Sequence, residues 1–146
     1  MLILDKLTCS FGSFDMNFNL EICKTGIVGV VGRSGSGKST LLNLIAGFIE
    51  PQSGKIIYKN SILNGLDPSQ RDLSILFQNF NNFDHLSIFQ NIILGIDPQM
   101  RKTSHNLKIV KDILKKLSIK IHMDTQLNLL SGGEQQRVSI ARCLIR

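Results

Sequence analysis

The sequence predicts an α/β fold: a core with an antiparallel β part, a glycine-rich loop feeding a helix, and a helical subdomain beyond it. Three observations carry this. Gly32 to Ser39 spells G-x-x-x-x-G-K-S between an apolar run and a helical pattern. Alternating apolar residues mark strands before that loop. Beyond Phe83 the apolar spacing turns helical.

In chain order, Leu2 to Leu7 reads as a strand and Phe11-Gly12-Ser13 as a turn. Phe14, Met16, Phe18, Leu20 and Ile22 alternate, the pattern of a half-buried strand. Ile27 to Val31 is a short continuous apolar run that suits a strand buried on both faces. Leu41, Leu42, Leu44, Ile45 and Phe48 predict a helix over Ser39 to Ile49. Pro51 to Gly54 reads as a turn, and Lys55 to Tyr58 and Leu73 to Phe77 as strands. Ile88, Ile92 and Ile93 predict a short helix, and Leu107, Val110, Leu114 and Leu117 the core face of a longer one. The expected organisation is a strand-rich core over 1–82 that carries the glycine-rich loop, a helical subdomain over 83–129 and a final helix over 130–146, with no repeat, low-complexity segment or linker.

At 146 residues and 42% hydrophobic, the chain has the size of one domain with a small subdomain. Its 17 Lys+Arg against 11 Asp+Glu, a net +6, suit anionic partners. Arg101, Lys102, Lys108, Lys111, Lys115, Lys116 and Lys120 crowd one stretch, either a solvated helix face or a lipid or nucleic-acid contact. Cys9, Cys23 and Cys143 are far apart, with no CxxC and no Cys/His cluster. They argue against a metal site and for a reducing compartment. The first residues are charged too soon for a signal peptide. The run around Gly26 to Gly32 is far short of the roughly 20 residues that span a bilayer. A soluble or peripheral, cytoplasmic chain is expected.

Gly32, Arg33, Ser34, Gly35, Ser36, Gly37, Lys38, Ser39 and Thr40 form a phosphate-binding loop with a strand expected before and a helix after. Its glycines let the backbone turn tightly and bring N–H groups onto phosphate oxygens. The helix that follows aims its positive end at the same anion. Lys38 is placed to reach the β- and γ-phosphates, and Ser39 to set its hydroxyl on Mg²⁺.

A second motif, Leu130-Ser131-Gly132-Gly133-Glu134-Gln135-Gln136-Arg137, opens another helix. Ser131 and Glu134 stand at the two ends of a capping box. Val138, Ala141 and Ile145 give that helix one buried face. Glycine costs about 1 kcal/mol in a helix, so Gly132 and Gly133 suggest close approach by another group, a γ-phosphate being the natural candidate. Taken alone, the tetrad is equally an ordinary capped helix.

Together, phosphate loop and second motif resemble the ABC-type ATPases, over essentially the whole chain. The resemblance implies a P-loop NTPase core and a role for Leu130–Arg137 as the signature motif. Leu76-Phe77-Gln78 is similar to that family's Q-loop, which implies that Gln78 touches the metal and the attacking water. Gln78 and Lys38 are thus the catalytic candidates, and Ser39 and Gln78 the metal candidates. Phe11 stands where the family places an aromatic that stacks on adenine, although a lone Phe after a strand is also ordinary core. Leu42–Phe48, Leu76–Gln78, Asn82–Leu86, Gln90–Ile92 and Ala141–Arg146 resemble more closely the ATP-binding subunits of bacterial thiamine importers.

That resemblance implies ATP and Mg²⁺ as cofactors, and ATP sandwiched between two copies, with Gly32–Thr40 of one facing Ser131, Gly132, Gly133 and Glu134 of the other. It implies a membrane permease as partner, a periplasmic solute-binding protein indirectly, no nucleic acid, and a place on the cytoplasmic face of the bacterial inner membrane. Asn79 to Gln90, with Phe80, Phe83, Leu86 and Phe89, is the expected docking segment, and its aromatics are equally readable as core. In the family a further strand after the signature helix carries an Asp for Mg²⁺ and a Glu for the attacking water. The chain therefore reads as the N-terminal part of a longer ATPase, and little hydrolysis by it alone is expected. The alternatives are a truncated nucleotide-binding product without hydrolysis, or an importer subunit for another small solute. A DNA-repair or chromosome ATPase is disfavoured, because no extended heptad run separates the two motifs.

Overall fold

The computed structural model describes residues 1–11, 14–23, 25–77 and 82–146, the side chains of Phe11 and Phe14 excepted. The chain forms two compact units, Met1–Leu73 and Ser74–Arg146.

The first unit is built on a four-stranded sheet in the order β2-β1-β3-β4. Its strands are β1 (Leu2–Phe11), β2 (Phe14–Ile22), β3 (Ser53–Tyr58) and β4 (Ser61–Ile62), all paired antiparallel. Leu4 lies opposite Leu20 on β2 and Ile56 on β3. Leu4 and Leu7, an odd spacing, would point to opposite faces of a regular strand. Both are buried nonetheless. The register shifts between them, with Lys6 at φ 48°, so a bulge returns Leu7 to the core face. Gly54 serves the same irregularity. Its φ is +83°, and a Cβ there would collide with the backbone carbonyls of Asp5 and Lys6.

Helix α1 (Lys38–Ala46) buries Leu41 and Leu44 in a core with Leu4, Leu7, Met16, Ile56 and Leu63. Gly47 ends the helix in the left-handed conformation, its N–H bonded to the Asn43 and Leu44 carbonyls. Arg71, fully buried, closes that end. Its guanidinium donates to the carbonyls of Leu44 and Ile45 at 2.9 Å and of Leu66 at 3.0 Å, and pairs with Glu50 at 3.3 Å. Burial lowers the Arg71 pKa, and Glu50 opposes the shift. A cation is also favoured where the helix dipole is negative.

Two expectations fail here. Ile27 to Val31 forms no strand, and Ile27 and Val31 are 103% and 93% exposed. A strand buried on both faces needs partners on both sides, and the described residues pair none with this run. Leu73 to Phe77 likewise takes no regular structure. The strands expected at Leu2–Leu7, Phe14–Ile22 and Lys55–Tyr58 are present, β3 starting slightly earlier than the expected turn allowed.

The second unit packs α2 (Ile88–Ile93), α3 (Ser104–Lys116) and α4 (Gly132–Leu144). Ser87 caps α2 and Thr103 caps α3, each side-chain oxygen accepting from a first-turn N–H. Ile88, Phe89, Ile92, Val110, Leu114 and Val138 meet in its core. Gly95 lets the chain after α2 approach α4, since a Cβ there would lie 2.7 Å from the Arg142 carbonyl. Asn91, buried, accepts from the Phe83 N–H and donates to the carbonyls of Phe83, Leu86 and Ser87, fastening that turn to α2. Asp97, Arg101 and Asn106 form a second polar knot, with Asn106 and Arg101 both donating to the Asp97 carboxylate at 3.0 Å.

Candidate functional site

The glycine-rich loop over residues 32–37 leads into α1. Gly35 and Gly37 take φ +79° and +87°, values that L side chains rarely adopt. Gly32 is also constrained, because a Cβ there would come within 2.7 Å of the Ser36 hydroxyl. The Ser36 N–H donates to the Arg33 carbonyl and tightens the turn. Gly37 is the N-cap of α1, without a side-chain cap and with no acidic residue in the first turn. The first N–H groups of a helix have no intrahelical acceptor. Here neither a capping oxygen nor a carboxylate from the loop supplies one, so the donors and the positive dipole end are left for an outside anion. The Lys38 ammonium folds back over the loop and donates to the Gly32 and Arg33 carbonyls at 3.0 and 2.7 Å. That places a fixed positive charge across the same concavity.

These features fit a polyphosphate. A cation by itself fits less well: among the described residues no group of three or more His, Cys, Asp or Glu could hold one. Ser39 is exposed in the first turn of α1, where its hydroxyl could serve a cation carried by a bound polyphosphate.

The second motif opens α4. The Glu134 carboxylate accepts from the Ser131 N–H at 2.9 Å and from its hydroxyl at 2.6 Å. Those two bonds hold the Glu134 carboxyl below its ordinary range. A Cβ added at Gly132 or Gly133 meets no atom within 4 Å. Among the described residues, the glycines are therefore not required by packing and the first turn lies open. Gln135 steadies the approach to that turn, its amide donating to the Leu127 and Leu130 carbonyls at 3.3 and 3.2 Å.

Sequence reasoning did not single out the contact that ties α4 to the segment after Gln78. The Ser139 hydroxyl, buried, donates to the Asn82 side chain, and the Asn82 amide donates to the Gln135 carbonyl. Ser139 stands off the Val138, Ala141 and Ile145 stripe, among Gln135, Gln136 and Arg142, so the sequence pattern offers no signal for it. Phe83 is 44% exposed, with the Arg142 guanidinium over its ring at 5.7 Å and His85 edge-on at 6.4 Å. Phe89, grouped with it in the expected docking segment, is instead fully buried in the helical core. Its place inside α2 turns it inward with Ile88 and Ile92. Gln78, Asn79 and Phe80 lie outside the described residues, as does the Phe11 side chain at the end of β1. Among the described residues no helix is long and apolar enough to cross a membrane.

A match to the ABC transporter family spans residues 16–146. The thiamine import ATP-binding protein ThiQ of Vibrio vulnificus is 46% identical over 129 residues, covering 88% of this chain and 55% of that protein. Those of Vibrio cholerae and Yersinia pseudotuberculosis are 41% and 40% identical over all 146 residues, which cover 61% and 62% of their lengths. The chain thus spans less than two thirds of the length of these relatives. An ATP-binding cassette of an ABC transporter superposes with a TM-score of 0.87 at 25% identity, covering 99% of this chain and 64% of that one. A dimeric, post-hydrolysis ATP-binding cassette bound to ADP and Pi superposes with a TM-score of 0.78 at 31% identity, over 99% and 69%. With its phosphate loop at the head of α1 and its glycine-opened α4, the chain belongs to the ABC transporter family, within the ATP-binding component.

Proposed function

We infer that the chain works as the ATP-binding subunit of an importer, coupling ATP binding and hydrolysis to the uptake of thiamine. The observation that carries this reading is the presence in one chain of two helix N-termini opened by glycine, one at Gly32–Thr40 and one at Ser131–Glu134. The thiamine-import names of the relatives supply the solute. In this reading residues 1–82 bind the nucleotide, 83–129 form the helical subdomain and 130–146 the signature helix. Lys38 and the loop N–H groups would hold the β- and γ-phosphates, Phe11 would stack on adenine, and Ser39 and Gln78 would be the residues to hold Mg²⁺. Bound Mg²⁺ neutralises charge on the phosphates. Ser131, Gly132, Gly133 and Glu134 act in trans on the nucleotide of a second copy. The half-exposed Phe83 faces a permease at the cytoplasmic side of the inner membrane, with a periplasmic solute-binding protein beyond it.

Titration calorimetry of ATP against the chain and its Lys38→Ala variant tests the site. Loss of a charge-assisted phosphate contact is expected to weaken binding at least tenfold, about 1.4 kcal/mol. Equal affinity sinks the assignment of the loop. Phosphate release measured alongside separates hydrolysis from binding alone. Uptake of labelled thiamine by cells that depend on this gene tests the solute. Uptake of a different solute, with thiamine excluded, overturns that part and leaves the nucleotide site standing.

A further inference from the structure

Residues 101–120 hold seven cations against one acid, Asp112, so the whole +6 of the chain resides in this stretch and the remainder is neutral. The structure gathers the charge further. At 3.6 residues per turn, Lys108, Lys111 and Lys115 fall within an arc of about 60° on α3. That arc is opposite the buried face of Asn106, Val110, Ile113 and Leu114. None of the three lysines forms a salt bridge among the described residues, whereas Arg101 is committed to Asp97 and Lys102 to Asp124. Lys108 and Lys111 line a shallow groove of about 400 Å³ with Ser104, Leu107 and Asp112.

We propose that the exposed face of α3 is a docking surface for the anionic headgroups of a lipid bilayer. The apolar face of α3 is already spent in the core of its unit, so the helix cannot insert, and contact is electrostatic. Two features favour lipid over nucleic acid. The three charges are all lysine, point charges on flexible stems, without the planar forks that read phosphate and base edges bidentately. No Phe, Tyr or Trp lies between 101 and 120 to stack on a base. The choice of a membrane as partner rests on the reading of the chain as a peripheral transporter subunit, and the surface itself does not involve the nucleotide site.

Each near-surface lysine multiplies affinity for an anionic membrane about fivefold, so losing three lowers it roughly 100-fold. The test is co-sedimentation of the chain with permease-free vesicles of phosphatidylcholine containing about one third phosphatidylglycerol, against phosphatidylcholine alone. Three results are expected. The chain sediments with the anionic vesicles only. Binding disappears near 1 M salt, where the screening length falls to about 3 Å. The Lys108→Gln/Lys111→Gln/Lys115→Gln variant loses roughly 100-fold while its circular dichroism and ATP affinity are unchanged. A Lys6→Gln/Lys55→Gln control, removing exposed charge from the sheet, is expected to stay within about threefold. If the control loses as much per charge, net charge alone drives binding and the docking face is refuted. Tighter binding to duplex DNA than to vesicles, abolished by the same triple variant, also overturns the proposal. Calorimetry on the same samples reports the ATP site separately, so a failed nucleotide assignment cannot be mistaken for a failed lipid one.

Discussion

Replacing Arg71 by methionine removes a side chain that serves the Leu44 and Ile45 carbonyls at the end of α1, the Leu66 carbonyl and the Glu50 carboxylate. The Leu44 carbonyl keeps the Gly47 N–H. The Ile45 and Leu66 carbonyls lose a guanidinium donor, each at about 1–3 kcal/mol if left buried and unpaired. Methionine recovers part of the packing volume, and the desolvation of a buried cation is relieved. The net loss is about 3 kcal/mol, inside the range for removing one member of a buried polar cluster. The chain has one tyrosine and no tryptophan, and Tyr58 lies on β3, so its fluorescence in a urea titration reports the unit that holds Arg71. With a slope of about 2 kcal/mol/M, the midpoint should fall by about 1.5 M. Arg71→Lys should fall between, because one ammonium cannot reproduce the fork. Glu50→Gln should move it little, since Glu50 is half exposed. A shift under about 0.3 M for Arg71→Met would refute the view that this guanidinium holds the helix end in place.

Gly133→Ala should stabilise the second unit by about 1 kcal/mol, because the site is helical and open. It should also impair ATP-driven dimerisation measured by light scattering, and unimpaired dimerisation would remove the in-trans role. Gly54→Ala should cost about 1–3 kcal/mol by the Tyr58 titration, since its φ of +83° and the Lys6 carbonyl leave no room for a Cβ. The Arg101 bonds lower the Asp97 pKa. Folding is therefore favoured by the Asp97 carboxylate above the unfolded carboxylate range, and that stability is lost as pH falls through the lowered folded value. Asp97→Asn should flatten the acid limb of the helical unit's stability followed by circular dichroism, and an unchanged limb would assign the acid sensitivity elsewhere.

The parts legible in the sequence are those whose chemistry is local. Gly35, Gly37 and Lys38 need only their own backbone to form a loop at a helix head, and the motif shows them in order. The apolar spacing of Leu107, Val110 and Leu114 needs only the helical period, and α3 follows it. Arg71 was not legible. It ends a polar turn, Asp67-Pro68-Ser69-Gln70, and reads as surface; its burial is decided by carbonyls at the end of a helix many residues earlier. Ile27 to Val31 failed for the complementary reason. A run buried on both faces states that partners are required without naming them, and the described strands lie elsewhere. Asn91 sits within an apolar helix face, where a polar residue in an otherwise hydrophobic pattern is the sign of a fixed bond to a turn, whereas Ser139, among Gln135, Gln136 and Arg142 on α4, gives no such sign.

The two glycine-opened helices differ in one respect that bears on ligand binding. On α4 the Ser131 hydroxyl and N–H are already engaged by Glu134, a carboxylate that also complements the dipole. On α1, among the described residues, no side chain caps the N-terminus, and no acid stands in the first turn. A missing cap costs about 1 kcal/mol, and a bound anion restores what the side chains omit. Binding to the folded form alone stabilises it by about 2.7 kcal/mol at a ligand concentration of 100 times Kd. Inorganic pyrophosphate, which has no chromophore to disturb Tyr58, should therefore raise the urea midpoint of the first unit by about 1 M. In Lys38→Ala at the same concentration the rise should be at most about half as large, because a tenfold weaker site gains about 1.4 kcal/mol. The helical unit, followed by hydrogen exchange of the Val110 and Leu114 amides, should gain nothing if the anion sits only at the head of α1. An equal gain in both units, or an undiminished gain in Lys38→Ala, would mean that the anion acts on the general positive charge of the chain and not on the uncapped helix.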